Sequence, residues 1–361
     1  MENQLYFIEN LFIAPIKYNY LNTNEKEMAR TINGALNELV QEKVNLLKSR
    51  TDAGRSSRDH LLGQIKRLNE NSVEKLDFAD TYNLPFGSFS RRTKVKPLDD
   101  IDQMIGLNGG KLVWNEESHY DQSVISIRNS SDKGVWSQLL NDDNTLSPIK
   151  VLNRFKRMLS NMNGYQNPQL NRHQQAVTFQ MTSNEWNFDL VPCFHTTTNV
   201  YLIPSGNGNY WMQTDPRKDQ VLATEVNQQH NGRVLEIIRL MKYWNKLDRK
   251  PSIPSSYLLE VMLLNFYKSR SLWNLCGSLQ EEVEKCLQYL KENIYSYVAD
   301  PKEIEGNINR LGIVVQHSIY NRIINDLEQI SVGNYYESLG QKEQAFKHWK
   351  NVFGSYFPIY E

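Results

Sequence analysis

The sequence predicts an α+β protein of two lobes, a mixed strand-and-helix lobe followed by an all-helical one, with a cleft between them. Three observations carry this expectation. The chain has 361 residues, more than one hydrophobic core usually spans. Short alternating segments bounded by Gly, Pro, Asn and Ser fall before residue 226. Beyond Val226 apolar residues recur at spacings of three and four. The expected lobes are therefore residues 1–225 and 226–361.

Taken in order, Asn24 to Leu47 reads as a helix, with Met28, Ile32, Leu36, Leu39 and Val40 on one stripe, and Ser57 to Leu68 as a second. Phe86 to Leu107 contains Gly, Pro and alternation, which predicts strand, turn, strand. Gln174 to Met181 and Trp186 to Phe194 read as strands joined by the turn-prone residues 182–184. Asn199 to Ile203 and Tyr210 to Gln213 flank Ser205-Gly206-Asn207-Gly208, a hairpin-like connection. Tyr210 and Trp211 fit either core positions or stacking platforms. Five helices follow: Arg233 to Lys246, Ser256 to Tyr267, Leu279 to Tyr297, Val314 to Ile330 and Lys342 to Val352.

Composition narrows the function. Lys plus Arg equals Asp plus Glu at 41 each, so bulk nucleic acid is not the expected main partner. Cys193, Cys276 and Cys286 lack any paired spacing, and the seven histidines show no ligand spacing, which argues against a disulfide scaffold and a zinc site. MENQLYFIEN has no basic, apolar leader pattern, and the longest apolar segment, around Tyr257 to Tyr267, is too short to span a bilayer. The expected setting is reducing and cytoplasmic, without a membrane partner.

The chemistry concentrates in LPFGSFSRRTKVKPLDDIDQMIGL, residues 84–107. Period-two geometry puts Asp100 and Asp102 on one strand face, with Asp99 and Ile101 on the other. An Asp-x-Asp pair is common in solvated acidic loops, but two neighbours favour a metal site. Gly87-Ser88 lies upstream at an expected strand end, where a Gly allows close backbone approach and the next N–H and hydroxyl suit phosphate oxygens. Asp189 stands inside Trp186-Asn-Phe-Asp-Leu-Val-Pro192, on the face opposite Trp186, Phe188 and Leu190. A charge inside such a strand is costly without a partner. A hard cation shared by Asp100, Asp102 and Asp189 supplies one, and Mg²⁺ suits carboxylate and phosphate oxygens together. The basic run Arg91, Arg92, Lys94, Lys96 cannot face the site in full because alternation divides it. Lys242 borders an apolar helix stripe, where a snorkelling role suffices. Ser255 or Ser256 suits a helix N-cap.

Gly-Ser, then Asp-Ile-Asp, then a lone Asp on a later strand resembles the polymerase β-like nucleotidyltransferases. PFGSFSRRTKVKPLDDIDQMIGL and NFDLVPCF closely resemble the CD-NTases, the bacterial relatives of cyclic GMP–AMP synthase that make cyclic nucleotide signals in anti-phage defence. The similarity runs from the helix before Gly87 to HWKNVFGSYFP at the C-terminus. It implies a nucleotidyltransferase core of mixed sheet and flanking helices, with a C-terminal helical lobe. It also implies template-independent joining of NTPs with two Mg²⁺ (or Mn²⁺) ions and release of pyrophosphate. Asp100 and Asp102 would bridge both ions, and Asp189 would hold the ion that activates the ribose hydroxyl. Gly87, Ser88, Lys242 and Ser256 would contact phosphates, and Tyr257 would stack on a base. The product, a cyclic di- or trinucleotide, would be read by a separate effector protein, with no stable DNA or RNA partner. The zinc-ribbon insertion that holds DNA in the animal enzyme has no counterpart here. The chain ends in Tyr360-Glu361 rather than the small residue through which some members are conjugated. A linear oligonucleotide synthase, a tRNA-tailing enzyme and an inactive nucleotide sensor are the alternatives the same carboxylates allow.

Overall fold

The computed structural model describes residues 30–119, 122–129, 134–162, 169–170, 175–180, 185–248, 251–270 and 276–360. Helix α1, Ile32–Leu39, starts where Thr31 accepts a hydrogen bond from the Gly34 N–H, and continues into a π-type turn at Val40–Val44. The expected helix start at residues 24–29 lies outside the described residues. Helix α2, Lys48–Asn71, is twice as long as the Ser57–Leu68 segment expected, because Gly54 and Gly63 mask its pattern.

The expected strand-turn-strand over Phe86–Leu107 is instead a two-residue strand β1, Leu84–Pro85, one helical turn α3, Gly87–Ser90, an irregular run, and strand β2, Asp100–Leu107. Gly87 at φ +71° turns the chain, and the carbonyls of Gly87, Ser88 and Phe89 then accept from the N–H groups of Arg91, Thr93 and Arg92. Strands β3, Leu112–His119, and β4, Gln122–Asn129, form a hairpin that the sequence reading missed, as it missed helix α4, Pro148–Leu159.

Strands β5, Gln169–Leu170, β6, Val177–Gln180, β7, Asn187–His195, β8, Tyr201–Pro204, and β9, Trp211–Thr214, complete one mixed sheet. Its path is β1-β2-β7-β8-β9-β4-β3, with β6 on β7 as well. The pairing of β2 with β7 is parallel and the others are antiparallel. Trp186, Phe188 and Leu190 are buried together, as the alternation predicts. Trp211 is core as well, donating its ring N–H to the Leu146 carbonyl.

The helical lobe comprises α5, Pro216–Gln229, α6, Val234–Lys246, α7, Ser256–Ser269, α8, Leu279–Asn293, α9, Ile313–Ser338, and α10, Lys342–Phe353. The last five match the five expected helices to within a few residues at most ends. Helix α5 was not read, although Asp215 caps it and Pro216 opens it. One apolar core joins these helices, and a second lies between the sheet, α2 and α4. Residues 32–44, grouped by the sequence reading with the strand lobe, bury Ile32, Leu36, Leu39 and Val44 in the helical core. Among the described residues no helix is long and apolar enough to cross a membrane.

Candidate active site

The parallel pairing sets Asp102 directly opposite Asp189, and Asp100 opposite Asn187. In-register residues on parallel neighbours share a face, so the three carboxylates converge, with one oxygen from each within 4.8 Å of the others. Burial and the adjacent Asp189 carboxylate push Asp102 up to about 6, although Lys94 and Arg91 oppose the rise. Burial raises Asp189 too, against the hydrogen bond that Thr178 donates to it at 2.7 Å. Three acids on one half-buried face repel one another. Hard divalent cations are the ligands that such a donor set fits.

Gly87 packs against this cluster. A Cβ built on it would stand 1.8 Å from Asp102 Oδ2, so any larger residue displaces the carboxylate. The backbone N–H of Phe86 donates to the Asp102 carbonyl, tying the loop to β2. Ser88 is half-buried, and among the described residues its hydroxyl has no protein partner. Lys94 is buried and ion-paired with both Asp99 and Asp100, while Asp99 remains largely exposed.

Glu260 was not singled out in the sequence. It is fully buried on α7, and there it accepts from Arg91 at 2.6 and 3.4 Å, the Thr93 hydroxyl at 2.8 Å and Lys242 at 3.2 Å. Arg91 and Thr93 belong to the strand lobe and Lys242 to α6, so one carboxylate fastens the two lobes beside Asp102. Its signal was a lone acid in the apolar run SYLLEVMLLNF. Lys242 thus lies beneath the site, in contact with Glu260, and burial lowers its pKa.

The cap of α7 is Ser255, which accepts from the Leu258 N–H, and Ser256 is exposed at the first helical position. Tyr257 donates to Asp219 at 2.7 Å and accepts from Lys302 at 2.8 Å. Its ring carries Lys302 at 4.6 Å and Arg91 at 5.5 Å. The structure therefore brings together Asp100, Asp102, Asp189 and Gly87. Lys242 and Tyr257 join them through Arg91, which contacts Glu260 and the Tyr257 ring and whose charge reaches Asp102.

Residues 123–227 match the family described as the Second Messenger Oligonucleotide or Dinucleotide Synthetase domain. A probable cyclic nucleotide synthase of Bacillus cereus is 38% identical over 341 residues, covering 92% of this chain and 100% of its own length. The chain belongs to the CD-NTase family. This CD-NTase is a nucleotidyltransferase of the cyclic nucleotide synthase type. Its fold is also that of solved members. The Escherichia coli protein CdnC, solved with ATP, superposes with a TM-score of 0.66 at 16% identity, covering 91% of this CD-NTase and 99% of CdnC. Vibrio cholerae DncV, a cyclic AMP-GMP synthase, superposes with a TM-score of 0.63 at 13% identity, covering 91% and 97%.

Proposed function

We propose that this CD-NTase joins ribonucleoside triphosphates without a template into a cyclic di- or trinucleotide, a cytoplasmic second messenger that a separate effector reads in anti-phage signalling. The observation that carries the reading is the convergence of Asp100, Asp102 and Asp189 beside the Gly87-Ser88 turn. Two divalent ions held by the three carboxylates would supply Lewis acidity at the triphosphate and at the attacking hydroxyl.

The chain's own residues do the rest. Gly87 lets the backbone approach, and the Ser88 hydroxyl, free of protein partners among the described residues, donates to a β- or γ-phosphate oxygen. Ser256, left uncommitted because Ser255 is the cap, meets a phosphate at the N-terminus of α7. Arg91 and Lys242 share one buried carboxylate, so a net positive charge faces the departing pyrophosphate. Tyr257 offers its ring to a base. A ribose oxygen bonds to the α-phosphorus as the bond to the β-phosphate oxygen breaks, and Asp189 or a water beside it takes the proton. A second round on the linear intermediate closes the ring. Positioning and electrostatics account for the rate, since no bond to the protein forms.

Incubation with all four NTPs and Mg²⁺, then phosphatase digestion and mass spectrometry, tests the reading. A phosphatase-resistant cyclic product is expected. A linear product, or none, overturns it.

A further inference from the structure

A second cleft, edged by cationic and amide groups, lies on the other side of β2. It has a volume of about 190 Å³ and is lined by Asn45, Thr51, Arg55, Arg92, Lys94 and Arg239, with Leu46 and Phe89 as its apolar wall. Helix α2 covers the sheet face opposite the carboxylates, where Gly54 packs on Phe89, Leu98 and Ile101. Ile101 points away from Asp100 and Asp102, so a cleft formed by α2 and Phe89 is separate from the Gly87-Ser88 turn.

Four cations converge there, and the nearby acids do not neutralise them all. Among the described residues, Arg92 and Arg239 have no carboxylate within ion-pair distance. Arg239 spends its hydrogen bonds on two neutral oxygens, Asn45 Oδ1 at 2.7 Å and the Arg92 carbonyl at 2.6 Å. Glu236 engages Asn45 instead, at 3.3 Å. Burial holds the Arg239 guanidinium below its ordinary pKa, with Glu236 only partly offsetting it. Arg55 has only a loose contact with exposed Asp52 at 3.6 Å. Arg92 is held at φ +60°, a conformation that disfavours a side chain of its kind. The 24-residue α2 begins beside the cleft with no side-chain cap and no acid in its first turn, so its positive end is also unanswered.

We propose that this cleft binds a small oxyanion, a phosphate or diphosphate group, separately from the substrate nucleotide. Three guanidinium groups, an ammonium and a helix terminus meet the charge and donor demand of a phosphate. The volume suits one or two phosphate groups, and the balanced charge of the chain does not suit an extended nucleic acid. Lys94 makes the cleft consequential. It lines the cleft while its ammonium pairs with Asp99 and Asp100. An oxyanion competes with those carboxylates for Lys94, so oxyanion in the cleft and divalent cation at the carboxylates favour each other, by equal factors in both directions.

The test is calorimetric titration of inorganic pyrophosphate into metal-free protein at low ionic strength. One site per chain is expected. The double variant Arg55→Gln/Arg92→Gln, in which both changed side chains are exposed, should weaken binding at least tenfold, and Ser88→Ala should leave it unchanged. Absence of binding overturns the proposal, as does loss in Ser88→Ala with retention in the double variant. A twelve-nucleotide single strand that binds more tightly than pyrophosphate through the same two arginines also overturns it, in favour of a phosphodiester backbone. For the coupling, Mn²⁺ affinity is read by paramagnetic resonance with and without sulfate. A threefold or greater tightening by sulfate is expected in the wild type and none in the double variant, whereas an unchanged wild-type affinity overturns the coupling. The coupling rests on the carboxylates as metal ligands. Oxyanion binding in metal-free protein does not, and neither measurement depends on product formation.

Discussion

Buried acids in the two lobes have opposite surroundings. On the helical side, Glu282 accepts from Arg270 at 2.6 Å, Lys285 at 3.0 Å, the Tyr267 hydroxyl at 2.8 Å and the Gly277 N–H at 3.0 Å. Those donors outweigh burial and hold its pKa down at about 2. Glu260 and Asp300 are lowered in the same way by their cations. In the strand lobe Asp102 has an acid for its neighbour and is raised to about 6. The protein therefore neutralises acids where it needs rigidity and leaves them in excess where it needs a ligand. The excess costs folding free energy, which cations bound at the proposed site would recover.

The comparison predicts a hierarchy of effects. Asp102→Asn should lower product formation by about 10³-fold or more, and Asp100→Asn/Asp102→Asn should abolish it, both read with labelled NTPs. The same Asp102→Asn change should raise the unfolding free energy of the metal-free protein by about 1–2 kcal/mol, since it removes the repulsion. A variant that is inactive but no more stable breaks the comparison on its strand side.

Glu282→Gln tests the helical side and should cost about 3 kcal/mol at pH 7. The sign with pH follows from the lowered value. Folded Glu282 titrates near 2 rather than at 4.5, so its contribution is complete above pH 4.5 and fades as pH falls toward 2. Denaturant unfolding at several pH values should show the variant lacking that acid limb.

Gly87→Ala should reduce kcat by about 100-fold, because a methyl group at that backbone displaces the Asp102 carboxylate. Unchanged kcat would mean that the close packing of loop and carboxylate does not matter to the reaction. Asp99→Asn should be mildest, about threefold or less, because Asp99 is mostly exposed and Lys94 keeps Asp100 as a partner. Equal loss in Asp99→Asn and Asp102→Asn would contradict the division of the strand into two faces.

The convergence of the three carboxylates was legible because a strand has a fixed period: once Asp100 and Asp102 share a face, a third acid on a neighbouring apolar strand can only meet or avoid them. The helices after Val226 were legible for a similar reason, their stripes being long and free of breakers. Strands β3 and β4 were missed although Leu112-Val113-Trp114 and Val124-Ile125-Ser126-Ile127 carry strand formers, because the polar residues around them interrupt the alternation, and pairing supplies what the pattern does not. The helical turn at Gly87–Ser90 was expected to be the end of a strand, because one residue at positive φ redirects the chain without any change of pattern. The Glu260 junction was out of reach for a different reason: its partners Arg91 and Thr93 lie 169 and 167 residues away. A lone acid in an apolar helix indicates that a partner exists without saying which.

The placement of α1 bears on how the protein is made. The N–H of Ile32 bonds Glu337, 305 residues later, and the N–H of Leu279 bonds Asn33. The apolar stripe of α1 thus has no home until α8, which begins at Leu279, has been made. Contacts of such sequence separation form slowly, and an unhoused apolar stripe invites association in the interval. Synthesis interrupted before α8 therefore yields a chain whose first helix is still unpacked, so helices translated late release the first from waiting.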